Sequence, residues 1–316
     1  MDHPMIRLAI YGGGLMNQEE EKACIFTRPS RRQRMLKHRA DHRSQWIHRS
    51  MRMMIATIIF VLMWGSYISW PHVEAESSSV SFSDEHMMES WLAEQLAERT
   101  TMIQFKYEGS IDQFSQVLTD VLNDALYSNP FIRYNVSRYT FHWKSYGKGA
   151  LVSVYVQYRE TYEQYQQVRQ YAKEQVKRLI TPGMSDEQIV KILHDFVVDQ
   201  LAYDATMTRF TAYEAITLGS TVCQGYALLL QALYEDAGIT SRVVEGNAGG
   251  QLHAWNIVQL NNQWYHVDAT WNDPVPDKRN RILHTYFLLS DEEIGRDHTW
   301  DRAKFPQATQ SYKQNK

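Results

Sequence analysis

Cysteine is nearly absent: the 316-residue chain has two, Cys24 and Cys223. Cys24 precedes a leader-like segment, so an exported body would keep one thiol and could close no internal disulfide. A lone thiol in an oxidising setting calls for deep burial or a chemical use. Positive charge is scarce where nucleic acid would need it. Residues 1–75 carry 11 Lys+Arg and 6 Asp+Glu, leaving 22 and 30 for the rest of the chain. An acidic body argues against a nucleic-acid partner. There is no internal repeat, no cysteine–histidine spacing of a zinc site and no acidic loop of the calcium-binding kind. No metal and no cofactor are expected. What remains is 44% hydrophobic and 22% charged, an ordinary globular composition with enough apolar residues for a substantial core.

The basic surplus belongs to the N-terminus. Residues 53–70 (MMIATIIFVLMWGSYISW) are apolar apart from Thr57, Gly65, Ser66 and Ser69. Arg43, Arg49 and Arg52 precede them, and Val73-Glu74-Ala75 fits a small-x-small cleavage site. That order predicts a signal peptide over 51–75, with an uncleaved single-pass anchor as the alternative. Either way the arginines stay inside and the body is exported, secreted or at the cell surface. Membrane contact is expected only through that anchor. Residues 1–50 are polar and basic without a hydrophobic period. They read as sequence upstream of a start near Met51 or Met53, or as a disordered tail.

Residues 76–83 are serine-rich and predict a linker. Over 84–182 the pattern predicts an α+β region of unassigned role, with helices from about 84, 110 and 161 and strands near 103, 138 and 151. Ser110 and Gln113 have capping-box spacing, as do Ser185 and Gln188. Thr181-Pro182-Gly183-Met184 marks a boundary. A second domain is expected over 183–300, with 301–316 as a tail.

Cys223 sits in Thr221-Val222-Cys223-Gln224-Gly225-Tyr226, before an apolar helical run. Thr221 and Gln224 again have capping-box spacing, which predicts Thr221 as N-cap and Cys223 in the first turn. Free N–H groups and the helix dipole favour a thiolate there. Asn261-Asn262 predicts a two-residue turn pairing Leu260 with Gln263. That register places His253, Trp255, His266, Asp268 and Thr270 on one face of a strand pair running to residue 270, with His253 opposite Thr270 and diagonal to Asp268. The parts are a thiol nucleophile, a base and an orienting carboxylate. His266 competes as the base. His253 is preferred because it opens its strand after Gly249-Gly250, where it can meet a helix start.

Three ordered blocks carry a family resemblance: Val222-Cys223-Gln224-Gly225-Tyr226-Ala227, His253-Ala254-Trp255-Asn256, and Trp264-Tyr265-His266-Val267-Asp268-Ala269-Thr270-Trp271. Together with Tyr203-Asp204 and Ala237-Gly238-Ile239, they resemble the transglutaminase-like superfamily, in particular its exported papain-like cysteine enzymes. The resemblance covers about residues 185–290. It implies an α+β fold in which the cysteine-bearing helix packs on an antiparallel sheet bearing the other two residues. It further implies Cys223 as nucleophile, His253 as general base then acid, and Asp268 as orienting carboxylate. The Cys223 backbone N–H is a candidate oxyanion donor, with Tyr213 as a second, and Trp255 and Tyr226 are candidate cleft walls. The expected activity is an exported amidohydrolase or acyltransferase working through a thioester, with hydrolysis ahead of crosslinking. Its substrate would be a peptide or protein, cell-wall or surface protein included. The alternative is a non-catalytic binding module on the same scaffold.

Overall fold

A computed structural model describes residues 8–10, 80–274 and 281–312. The expected signal or anchor over 51–75 lies outside the described residues, as does the 1–50 segment apart from Leu8–Ile10. Among the described residues no helix is long and apolar enough to cross a membrane.

The N-terminal layer is a five-stranded sheet. Its order is β1 (Leu8–Ile10), β4 (Val136–Tyr146), β5 (Gly149–Tyr158), β3 (Met102–Tyr107), β2 (Ser81–Phe82). The last pair is parallel and the others antiparallel. Helices α1 (Glu85–Ala97) and α2 (Phe114–Tyr127) cover one face. Met88, Leu92 and Leu96, with Phe114, Leu118 and Leu122, recur every four residues and so form one apolar stripe per helix. They pack on Ile103, Phe105 and Tyr107, which alternate along β3. Asp84 caps α1 by accepting from Met87 N at 2.8 Å. The Ser110–Gln113 capping box does not form. Ser110 Oγ accepts instead from Asp112 N, and Gln113 is left-handed with φ 55°. The start of α2 is fixed by Phe114, whose ring stacks on Tyr107 at 4.5 Å. Part of the expected linker is ordered, since Ser81–Phe82 pairs with β3.

The second layer is a five-stranded sheet too, antiparallel throughout, in the order β11 (Phe287–Leu289), β10 (Gln263–Val267), β9 (Gln251–Leu260), β8 (Ser241–Ala248), β12 (His298–Trp300). Against it lies α7 (Cys223–Asp236), buried on every side from Cys223 to Tyr234. A helix apolar all round belongs at the centre of a core. It is enclosed by α4 (Tyr162–Leu179), α5 (Asp186–Gln200), α6 (Ala212–Leu218), β8 and β9. The boxes Thr161–Gln164 and Ser185–Gln188 cap α4 and α5. Val168 and Ala172 of α4 pack into this second core. So do Phe131, from the short α3 (Pro130–Arg133), and Tyr134, its C-cap. These residues precede 183, so the second core begins well upstream of the Pro-Gly boundary. The tail is packed as well: Ala308 is fully buried and Tyr312 meets Tyr265 edge-on. The architecture is α+β.

Candidate active site

The segment before Cys223 is built on Asp204. Its carboxylate accepts from Thr206 N, Thr206 Oγ1, Thr208 N and Arg209 N at 2.6–3.1 Å. Those bonds hold the carboxyl well below the usual range despite its desolvation. They also turn the Arg209 carbonyl toward Thr221 and Val222, whose hydroxyl and N–H donate to it at 3.0 and 2.9 Å. Two short parallel strands, β6 (Ala202–Tyr203) and β7 (Ser220–Thr221), complete the brace. The expected Thr221–Gln224 capping box is therefore absent. Val222 is the N-cap and Cys223 the first helical residue. Gln224 donates instead to the Tyr134 carbonyl, at 3.1 Å. Cys223 still opens the helix, where backbone N–H groups lack intrahelical acceptors.

The β9–β10 register is the expected one, with Leu260 opposite Gln263 and His266 opposite Ile257. Strand β10 ends at Val267, however, and not at residue 270. Asp268 N-caps a one-turn helix, α8 (Ala269–Asn272), and its Oδ1 accepts from Trp271 N at 3.1 Å. Thr270 therefore does not face His253. Asp268 still reaches that ring: His253 Nε2 donates to Asp268 Oδ2 at 2.7 Å. The Cys223 thiol lies near enough to the same imidazole to act on its charge. Burial alone would lower His253. The charge and hydrogen bond of Asp268, followed by those of Cys223, overcome it and raise the ring to about 10. Asp268 moves the other way, held well below the carboxylate range by His253 and by a second imidazole, His298. The structure thus brings Cys223, His253 and Asp268 together.

The remaining expected residues lie elsewhere. His266 faces away from the thiol: its Nδ1 accepts from Trp255 Nε1 at 2.9 Å, and its Nε2 donates to Asp291 at 2.9 Å. Trp255 is fully buried, stacked on His253 at 5.9 Å, so it backs the imidazole rather than walling a cleft. Tyr226 is equally buried, and its hydroxyl donates to Asp273 at 2.6 Å. Tyr213 is half-buried on α6 against the core. The tyrosines whose phenols sense charge on Cys223 are Tyr134 and Tyr203, each pushed up chiefly by burial. The Tyr134 hydroxyl is buried, and no acceptor meets it in bonding geometry, although the Glu245 carboxylate is near. Tyr134 also borders a groove of about 860 Å³ shared with Tyr127, Arg133, Arg242 and Glu245. His298 and Tyr134 were not singled out from the sequence, because no local spacing ties either to Cys223.

Among the described residues, two side-chain groups have the composition of a metal site: His253, Asp268 and His298, and separately His194, Asp195 and His284. In the first, Asp268 Oδ2 already accepts from both His253 Nε2 and His298 Nε2, at 2.7 and 3.0 Å. In the second, Asn272 Oδ1 accepts from Tyr286 N, which turns its Nδ2 toward His194 Nε2 at 3.0 Å. His194 Nδ1 consequently keeps its proton and donates to Asp195 at 2.8 Å, which leaves no lone pair there for a cation. The Lys191 ammonium also lies against Asp195.

Residues 157–269 match the family model described as the transglutaminase-like superfamily. Kyphoscoliosis peptidase from Homo sapiens is 22% identical over 170 residues, 45% of this chain and 26% of that protein. Its Mus musculus counterpart is 25% identical over 173 residues, 46% of this chain and 26% of that protein. The chain therefore spans about a quarter of the length of the relatives it matches. Among solved structures, one of a TGase has 14% identity and a TM-score of 0.30, covering 57% of this chain and 53% of that one. The periplasmic domain of TgpA from Pseudomonas aeruginosa, bound to ethylmercury, has 14% identity and a TM-score of 0.26, covering 42% of this chain and 71% of that one.

Proposed function

We propose that this chain, whose residues 157–269 belong to the transglutaminase-like superfamily, is an exported cysteine amidohydrolase that cleaves peptide or protein amides through a thioester. One observation carries the reading: a buried imidazole donates to Asp268 at 2.7 Å and lies near enough to the Cys223 thiol, at a helix start, to be raised by it as well. Proton transfer from sulfur to His253 yields a thiolate beside an imidazolium that Asp268 stabilises. The thiolate attacks the amide carbonyl, and the oxyanion is met by the Cys223 N–H and the buried Tyr134 hydroxyl. Burial keeps that phenol protonated, and therefore a donor. As the C–N bond breaks, His253 gives its proton to the leaving amine. It then takes a proton from water as the thioester is hydrolysed, releasing the acid and restoring the thiol. Water needs no second binding site, whereas a crosslinking reaction must seat an acceptor amine; hydrolysis is therefore the proposed outcome. The N-terminal basic–apolar–small pattern supports export, and with it a cell-wall peptide or surface-protein substrate.

The test is iodoacetamide labelling of Cys223 from pH 5 to 9, in a chain starting at Glu76, beside its His253→Ala variant. Fast labelling below pH 7 that collapses in the variant is the expected result. Labelling that follows an ordinary thiol, or waits for denaturation, would make Cys223 structural and favour a binding module.

A further inference from the structure

Asp268 Oδ2 is shared by two imidazoles, His253 Nε2 at 2.7 Å and His298 Nε2 at 3.0 Å. An ionised carboxylate only accepts, so each ring must present an N–H to it. The other nitrogen of His298 meets a second carboxylate, with Nδ1 2.6 Å from Asp297 Oδ1. Asp297 is half-exposed, and its Oδ2 accepts from the Tyr286 hydroxyl at 2.7 Å. Each ring nitrogen of His298 thus has a carboxylate oxygen to donate to. That ring is fully buried. A charge can be kept in such a place only when it is paired on the spot, and here two carboxylates stand ready to pair one. His253, Asp268, His298 and Asp297 form one hydrogen-bonded row beside Cys223, and its last two members lie outside the family-matched residues 157–269.

We infer that His298 is a positioning residue: it holds a fixed positive charge behind Asp268, divides that carboxylate between two imidazoles, and so eases release of the His253 proton to the leaving amine. The inference rests on the cysteine–histidine reading above. Asp268 acting on His253 alone would hold the imidazolium proton more tightly and slow the step that expels the amine. Every element around His298 contributes to the balance. Asp268 faces it from the start of α8 and Asp297 from its own strand. The His253 ring of β9 lies 5.6 Å away and that of Tyr286 5.4 Å. His266 of β10, lowered chiefly by its own burial, is close enough for His298 to add to that shift. Trp255 and Trp271, at 5.1 and 4.6 Å, supply neutral walls that keep water out.

The experiment is a histidine-selective ¹⁵N NMR titration of a chain starting at Glu76, with the variants His298→Gln, His298→Ala and Asp297→Asn. In the unaltered chain His298 is expected to show two protonated nitrogens at pH 7. His298→Gln keeps an N–H toward Asp268 but removes the charge. Its His253 midpoint is expected to rise by about one pH unit, the scale for losing a like charge at this range. His298→Ala should move it the same way, and Asp297→Asn, at a half-exposed position that threatens the fold least, part of the way. A neutral His298 would overturn the inference, as would a His253 midpoint unmoved in His298→Gln. Iodoacetamide labelling separates the two ideas. Acid-range labelling with an unmoved midpoint removes the role of His298 and leaves the nucleophile standing. Ordinary labelling with a moved midpoint removes the catalytic reading and with it the positioning role, leaving only the shared charge.

Discussion

At the scale of single residues, the site depends on which atoms have only one use. Asp268 spends Oδ2 on two imidazole N–H groups and Oδ1 on a backbone N–H, so it must remain an acceptor at both oxygens. Asp268→Asn turns one of those oxygens into an NH₂ group, which meets a donor whichever way the amide is turned. Loss of the charge and of the His253 orientation together is expected to reduce kcat/KM by about 10³–10⁴-fold, the scale seen when a triad carboxylate becomes an amide. Steady-state hydrolysis of a peptide amide checks this, and a loss below tenfold would show that the carboxylate is dispensable. Trp255 has a different single use, its indole N–H filling the Nδ1 lone pair of buried His266. Trp255→Phe keeps most of the ring behind His253 but leaves that lone pair unpaired, at a cost of about 1–3 kcal/mol in urea unfolding. An unchanged midpoint would mean that the buried nitrogen finds another partner.

Elements hold these residues in register, and they differ in how openly the sequence displays them. The β9–β10 hairpin was legible because its turn is local: Asn261 and Asn262 both adopt positive φ, 51° and 62°, and a two-residue turn of that kind fixes every pair beyond it. The juxtaposition of His253 with Asp268 follows from it even though the strand ends early. The start of α7 was only half legible. Thr221 and Gln224 have capping-box spacing, yet both are claimed by distant backbone, the carbonyls of Arg209 and Tyr134. Spacing within a segment carries no information about such partners. His298 was hidden for the same reason, since a three-residue edge strand has no pattern linking it to Asp268, 30 positions earlier. Gly225 gives this scale its own test. A Cβ there would fall 2.0 Å from Thr221 Oγ1 and 2.7 Å from its Cγ2, both held against Arg209 by the loop that Asp204 builds. Gly225→Ala is expected to cost about 1–3 kcal/mol by overpacking, and to slow Cys223 labelling because the strain falls on its own helical turn. Thermal melts alongside labelling rates check both halves, and a melt unchanged from wild type would show that the turn yields freely.

At the scale of the whole molecule, the charge arrangement sets where in pH the fold is strongest. Asp268 and Asp204 are depressed, so their contributions are present above the ordinary carboxylate range and are lost as pH falls below about 4. His253 is raised, so its contribution is complete below about 6.5. That contribution disappears as pH rises toward about 10. Thermal stability is therefore expected to peak between about 4 and 6.5 and to decline on both sides; a maximum on the alkaline side would contradict the assigned partners. The division of the chain has a consequence of its own. The Pro-Gly break near residue 182 suggests that a catalytic domain could be cut free there, but the packing opposes it. Phe131, Tyr134, Val168 and Ala172 all enter the core around α7, and Tyr134 accepts from the residue beside Cys223. A fragment beginning at Thr181 would expose the α7 face that α4 covers and lose the Tyr134 hydroxyl from the sulfur's surroundings. It is expected to show no cooperative urea transition by tryptophan fluorescence, whereas a chain beginning at Glu76 should unfold in one. A shortened fragment that melts sharply and still labels at acidic pH would show that the core around α7 needs neither Tyr134 nor α4. The expected failure would mean that the chain between Phe131 and Ala172 is part of the fold that holds Cys223.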